Sequence, residues 1–343
     1  MQPVDNGEAR LLGWLAEHLG LQDPASPRRL SGGNSNLTLC VAHAGGQVVI
    51  RRPPENAISA SAARGVRREA RMLQALAGRV RVPRLLAFCE DASVIGQPFA
   101  VVQHVAGHAI STALPPSYPP GAGTLDRLGE ELVDAIAEVH TLDPCELGLE
   151  VGDGASQYVV RQVERWRDLR AAQSVRELPL VGSLADWLLS RLPPSPRLAV
   201  MHGDYHLDNT LCHPQQPALS AIIDWELSTV GNPLADVALM LAFWGERKVD
   251  APGFGFVQAV SRGLHGLVTR EALALRWSRA TGIPVDDLDY YLVFALWRLA
   301  SIVEGAYVLY RQGKVHDDYS RNLERDVPSL LEEAAMIAGL AWR

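Results

Sequence analysis

The feature that most constrains the fold is a change of pattern on either side of one Pro-rich stretch, LPPSYPPGAG, Leu114–Gly123. Proline fixes φ and removes a backbone donor, so this stretch is irregular surface chain. Before it the apolar spacing is mostly that of strands. RRLSGGNSNLTLCVA and GQVVIRRPP read as β-rich runs, with Gly32-Gly33 and Gly45-Gly46 as turns, and RVPRLLAFCED and PFAVVQHVAG read as two further strands. A leading helix over Glu8–Leu19 and a helix over Ser59–Ala77 complete this half. After the Pro-rich stretch the pattern is helical, over Thr124–Leu142, Ser156–Ala172, Gly182–Leu192, Pro233–Phe243, Glu271–Thr281 and Val285–Gln312. Strands segregated from helices in this way specify an α+β architecture. The expected domains are 1–105, a small antiparallel β-rich N-terminal lobe with one main helix and the leading helix, and 106–343, a larger, mostly helical C-terminal lobe.

At 343 residues, with 48% hydrophobic and 21% charged residues, the chain is an ordinary globular sequence with a sizeable core. Its formal charge of -7 would repel a phosphate backbone, and its richest basic stretch, Arg64–Arg71, has the spacing of a solvated helix face, so no nucleic-acid partner is expected. Cys40, Cys89, Cys145 and Cys212 form no CxxC pair, the spacing of reduced cytoplasmic thiols. The first ten residues lack a basic and an apolar region, and no unbroken apolar run reaches the length of a spanning helix, so neither export nor a membrane is expected.

Two short apolar runs interrupt the helical half: Leu198–Met201, followed by His202-Gly203-Asp204, and Ala218–Trp225, with Asp224 near its end. Asp204 and Asn209 are five positions apart, and Asp224 follows Asp204 by 20. One carboxylate base and two hard oxygen ligands suit Mg²⁺ and a bound nucleotide, the chemistry of phosphoryl transfer. Asp and Asn are also common turn formers, but the joint spacing H-x-D-x-x-x-x-N with a later strand-borne Asp is seldom accidental.

HGDYHLDN and IIDWE resemble the small-molecule kinases of the aminoglycoside phosphotransferase and choline kinase type, which share the bilobal protein-kinase-like fold. IIDWELSTVGNPLADVALML and YYLVFALWRLASIVEGAYVLYRQGK further resemble the phosphotransferase domains associated with acyl-CoA dehydrogenases. The resemblance runs from about Leu30 to Gly313 and implies ATP and Mg²⁺ as cofactors and a small-molecule hydroxyl as acceptor. It implies Asp204 as the group that orients the hydroxyl and takes its proton, and Asn209 and Asp224 as metal ligands. His202 would brace the loop, His206 would lie at the surface, and Asp236 would stabilise the catalytic loop as well as favour a helix N-terminus behind Asn232 and Pro233. The three oxygen-bearing side chains are expected to converge on the nucleotide's metal in a cleft between lobes.

The remaining nucleotide contacts are expected in the first half. Gly32, Gly33, Asn34, Ser35 and Asn36 form either a loop over phosphates or a plain hairpin turn. Val66, Glu69, Leu73 and Leu76 fall on one stripe with Ala62, so Glu69 points with apolar residues towards the sheet and needs a partner. Arg51, at a strand end, stands where kinases carry a Lys; otherwise it is a solvated charge. The resemblance puts Gln103, His104 and Val105 at the hinge that meets adenine. Arg298, Glu304 and Tyr307 either line an acceptor pocket or belong to a core helix. Two competing readings remain: a nucleotide-binding protein without catalysis, because of Arg51, and a zinc hydrolase, because His202, Asp204 and His206 alternate.

Overall fold

The computed structural model describes residues 6–30, 36–53, 60–110, 113–151, 155–194, 197–245 and 267–340. By their contacts the residues group into two compact units, Met1–Ala109 with Asp208–Ser228, and Ile110–Leu207 with Thr229–Arg343.

The first unit is built on an antiparallel sheet of β1 (Arg28–Arg29), β2 (Leu37–His43), β3 (Gly46–Arg52), β4 (Leu85–Cys89) and β5 (Phe99–Gln103), in the order β1-β2-β3-β5-β4. The Gly45-Gly46 turn joins β2 to β3, and Gly46 takes φ +135, a region that disfavours any side chain. Helix α1 (Asn6–Leu19) contributes Leu11 and Leu15 to a core that includes Val41, Val48, Ile50, Phe99 and Val101. Helix α2 (Ala60–Leu76) buries Val66, Leu73 and Leu76, with Glu69 on the same face at 3% exposure. The short helix α3 (Ala92–Ile95) is capped by Asp91, which accepts from Ser93 N–H, and by left-handed Gly96.

The segment 208–228, sequentially part of the helical half, groups with this first unit. It folds as a hairpin of β7 (Thr210–Cys212) and β8 (Leu219–Ile222) and ends in a 3₁₀ turn, Trp225–Leu227. The strand before it, β6 (Ala199–Met201), pairs instead with β9 (Thr229–Gly231) in the second unit. The two apolar runs of the sequence are therefore not each other's partners.

The second unit holds α4 (Ala122–His140), α5 (Ala155–Gln173), α6 (Pro179–Ser190), α7 (Leu234–Ala242), α8 (Arg270–Thr281), α9 (Leu288–Arg311) and α10 (Asp318–Ile337). Helix α9 is long and apolar enough to cross a membrane by length and composition, but most of that stretch is packed inside the protein. It contributes Tyr291, Phe294, Leu296 and Trp297 to the core.

Helix α10 is absent from the sequence reading, because Pro328 stands in its middle. Proline at 328 deprives the Glu324 carbonyl of its helical donor, and Arg176 supplies one: its Nη1 donates to that carbonyl at 2.7 Å. Its other nitrogens hold Glu304 by two bonds, one of 3.0 Å from Nε, and its guanidinium lies 4.0 Å over the Tyr307 ring.

Candidate active site

In the first unit, five of the expected nucleotide contacts line a single cavity of about 460 Å³: Arg51, Glu69, Gln103, His104 and Val105. That volume is within the range of cofactor pockets. Sheet pairing on β5 ends at Gln103, so the chain leaves the ladder where it enters the cavity wall. Gly32, Gly33, Asn34 and Ser35 lie outside the described residues. Asn36 is described and buried: its Nδ2 donates to Glu226 Oε2, while its Oδ1 has no hydrogen-bond partner among the described residues.

Arg51 is the centre of this half. Its Nε donates to Glu69 Oε2 at 3.1 Å, its Nη1 to Thr38 Oγ1 at 3.1 Å, and its Nη2 to Asp224 Oδ1 at 2.7 Å. Burial alone would lower its pKa; the carboxylates of Glu69 and Asp224 outweigh that and hold it protonated. The three bonds need three donors in a plane, which a guanidinium has and an ammonium lacks. Arg51→Lys is therefore expected to lose about 1–3 kcal/mol of stability, read by chemical denaturation; an unchanged midpoint would show that one nitrogen suffices.

Asp224 is placed by its backbone as much as by Arg51. It follows β8 rather than lying in a strand, and takes φ +68 and ψ 57, a left-handed conformation that Asp tolerates and β-branched residues do not. Strained backbone of this kind persists where the surroundings over-determine it. The next turn is fixed by Arg68, which donates to the Glu226 carbonyl, and by Trp225, whose indole donates to the Ile222 carbonyl. Asn209 closes a 3₁₀ turn, Leu207–Asn209, and its carbonyl accepts from Ile223 N–H, one residue before Asp224. Asn209 and Asp224 offer an amide and a carboxylate oxygen, a donor set that fits a hard divalent cation.

The second unit carries Asp204, His202 and Asp236 in one network. Asp236, 1% exposed on α7, accepts the backbone N–H of His202 at 2.6 Å on one oxygen and that of Gly203 at 2.8 Å on the other. Its position follows from the helix start, where Asn232 Oδ1 accepts from Leu234 N–H. His140 Nε2 lies 3.4 Å from Asp236 Oδ2, and Trp277 donates its indole N–H to His140 Nδ1 at 3.0 Å. The indole is donor only, so Nδ1 is the acceptor, which leaves Nε2–H facing Asp236. Gly203 takes φ +84, and Arg298 donates to its carbonyl at 3.0 Å. Asp204 N–H donates to the His202 ring at 3.3 Å.

The Asp204 side chain is 43% exposed. Partial burial would raise its pKa, but the hydrogen bond and charge of His206, followed by Arg298 and His202, hold it down to about 2. His206 itself is not at the surface: its ring stacks on Phe243 at 4.7 Å and is 15% exposed, with Nε2 3.8 Å from Asp204 Oδ2. Gly203 turns the chain just after β6, so His202, Asp204 and His206 do not alternate along a strand as the zinc reading requires. Among the described residues no group of three His, Cys, Asp or Glu is arranged to hold a metal ion.

His140, Trp277 and Glu226 are members of these networks that sequence spacing did not reveal. Glu304 and Tyr307 are buried against Arg176, inside the core of the second unit.

The chain is similar to known proteins over most of its length. Acyl-CoA dehydrogenase family member 11 of Gallus gallus is 31% identical over 320 residues, covering 91% of this chain and 40% of that protein. Acyl-CoA dehydrogenase family member 10 of Mus musculus is 31% identical over 308 residues, covering 89% of this chain and 28% of that one. The chain thus spans well under half of these relatives. A Ralstonia eutropha protein assigned to the aminoglycoside phosphotransferases superposes with a TM-score of 0.80 at 28% identity, covering 98% of this chain and 99% of that one. The GDP complex of aminoglycoside 2'-phosphotransferase-IIIa shares the fold, with a TM-score of 0.61 at 17% identity over 96% of this chain and 99% of that one. An antiparallel sheet with a buried cation tied to two carboxylates, a loop clamped through its amides, and a match over residues 26–275 to the corresponding family model agree: the chain belongs to the phosphotransferase enzyme family.

Proposed function

We propose that this kinase moves the γ-phosphoryl group of ATP to a hydroxyl of a small molecule. The observation that carries the reading is the Arg51 fork: Arg51 and Glu69 line the same cavity as Gln103, His104 and Val105, and Arg51 also holds Asp224. Arg51 is poised for nucleotide phosphates, and the backbone of 103–105 for the base. Asn209 and Asp224 would hold Mg²⁺, which when bound neutralises charge on the phosphates.

Asp204 serves the acceptor. Its carboxylate accepts the hydroxyl's hydrogen bond and so aims the hydroxyl oxygen's lone pair at phosphorus. The new O–P bond forms as the bond to the β-phosphate oxygen breaks, ADP leaves with that electron pair, and the hydroxyl proton passes to Asp204. A carboxylate held near pKa 2 is a weak base, so positioning is its larger contribution.

The charged groups that bear on Asp204 itself, His206, Arg298 and His202, all favour its anionic form. That favours an anionic acceptor over a polycationic antibiotic. Similarity to the acyl-CoA dehydrogenase family members points the same way, towards hydroxy acids or hydroxyacyl-CoA esters. An ADP-release screen over hydroxy acids, hydroxyacyl-CoAs, aminoglycosides, macrolides, choline-like alcohols and sugars tests the reading. Turnover of the anionic acceptors is expected; turnover confined to aminoglycosides would overturn the choice of acceptor. Nucleotide binding without turnover of any class would favour the non-catalytic reading.

A further inference from the structure

In the second unit, α5 and α9 run side by side. Tyr158 packs edge-on against Phe294, with ring centroids 6.1 Å apart. Three turns further along α5, Arg170 reaches Gly305 of α9, where an added Cβ would stand 3.7 Å from its Nη2. Arg170 is 7% exposed, and its Nε and Nη1 are buried with no hydrogen-bond partner among the described residues. The carboxylate that bears on it, Glu304, has both oxygens taken by Arg176. Guanidinium has five donors and no means of shedding its charge at ordinary pH, so a buried one without an anion is costly to keep. Proteins retain such groups where a ligand supplies what the fold does not.

We propose that Arg170 anchors an oxyanion site, and that the occupant is a carboxylate or phosphate group carried by the acceptor. Only the second clause rests on the phosphotransferase reading. Arg298, which holds the loop of Asp204, lies seven residues before Gly305 on α9. At about 1.5 Å per residue the anchor is about 10 Å along the helix axis from that loop. The reacting hydroxyl and the anionic group of the acceptor would be separated by a similar span.

The test uses the full chain, saturated with ADP to keep phosphate out of the nucleotide cavity, with melting followed in sodium phosphate, sodium acetate and sodium chloride at equal ionic strength. Phosphate is expected to raise Tm of the wild type by about 2 °C or more beyond its effect on Arg170→Gln and Arg170→Met. Acetate reports a preference for carboxylate in the same way. In chloride, Arg170→Met is expected to melt at or above the wild type, because it removes a buried charge whose neighbouring carboxylate, Glu304, is already bonded to Arg176. Equal phosphate and acetate responses in all three proteins, or a lower Tm of Arg170→Met in chloride, would overturn the site. Failure of ADP to bind, with the phosphate response intact, would sink the nucleotide reading and leave the site standing.

A matched pair of acceptors, a hydroxy acid and its amide, then separates an acceptor-borne anion from free phosphate. Arg170→Gln is expected to raise KM for the acid about tenfold, with kcat kept and the amide unaffected. The same KM for acid and amide, or turnover of neither, overturns the assignment to the acceptor.

Discussion

Asp204→Asn is expected to lower kcat by about 10²- to 10⁴-fold while leaving the fold and nucleotide affinity in place. An amide cannot take a proton, and it offers one acceptor oxygen where the carboxylate offers two. The fold should survive because this side chain is part-exposed. Nucleotide affinity should survive because Arg51, Glu69 and Asp224 are held by one another in the first unit. The variant also has a signature in acid. A carboxylate whose folded pKa is about 2 adds stability that is present above its unfolded pKa near 4 and lost as pH falls through about 2. Wild type and variant should therefore converge in stability at the acid end of that window. Steady-state ADP release, ADP titration and acid denaturation read the three quantities, and an unchanged kcat would remove Asp204 from the reaction.

Asp236→Asn is expected to cost about 3 kcal/mol or more of stability and to reduce kcat as well. The wild-type carboxylate receives three donors: the amides of His202 and Gly203 and the Nε2–H of His140. Asn keeps one acceptor oxygen and turns an NH₂ towards at least one of those donors, in a place that water does not reach. Relief by a slackened loop would displace Asp204, so kcat should fall while ADP affinity holds. Denaturant melts paired with kcat separate the two effects. A variant that melts like the wild type would show that the amide clamp is not needed.

Local pattern made much of this molecule readable in its sequence. The stripe that put Glu69 among Val66, Leu73 and Leu76 pointed it inward, and an inward carboxylate demands a cation. The glycine pair at 45–46 announced its hairpin, and the long apolar helices announced themselves within two or three residues of their ends. What escaped was settled by distance in space. β7 and β9 are three residues long, too short for any period to show. Trp277, His140 and Asp236 form a relay through residues 137 and 96 positions apart, with no local signature. The burial of His206 depends on Phe243, and α10 tolerates Pro328 only because Arg176 reaches across to its orphan carbonyl.

The interleaving of the two units limits how this protein can be rearranged. Its chain changes unit after residues 109, 207 and 228, so the first unit owns two separate stretches of sequence. Cutting the chain at the Pro-rich stretch would take Arg51 away from Asp224, and Asn36 away from Glu226. Splitting the coding sequence at its most obvious seam therefore yields two fragments, neither of which holds the first unit complete.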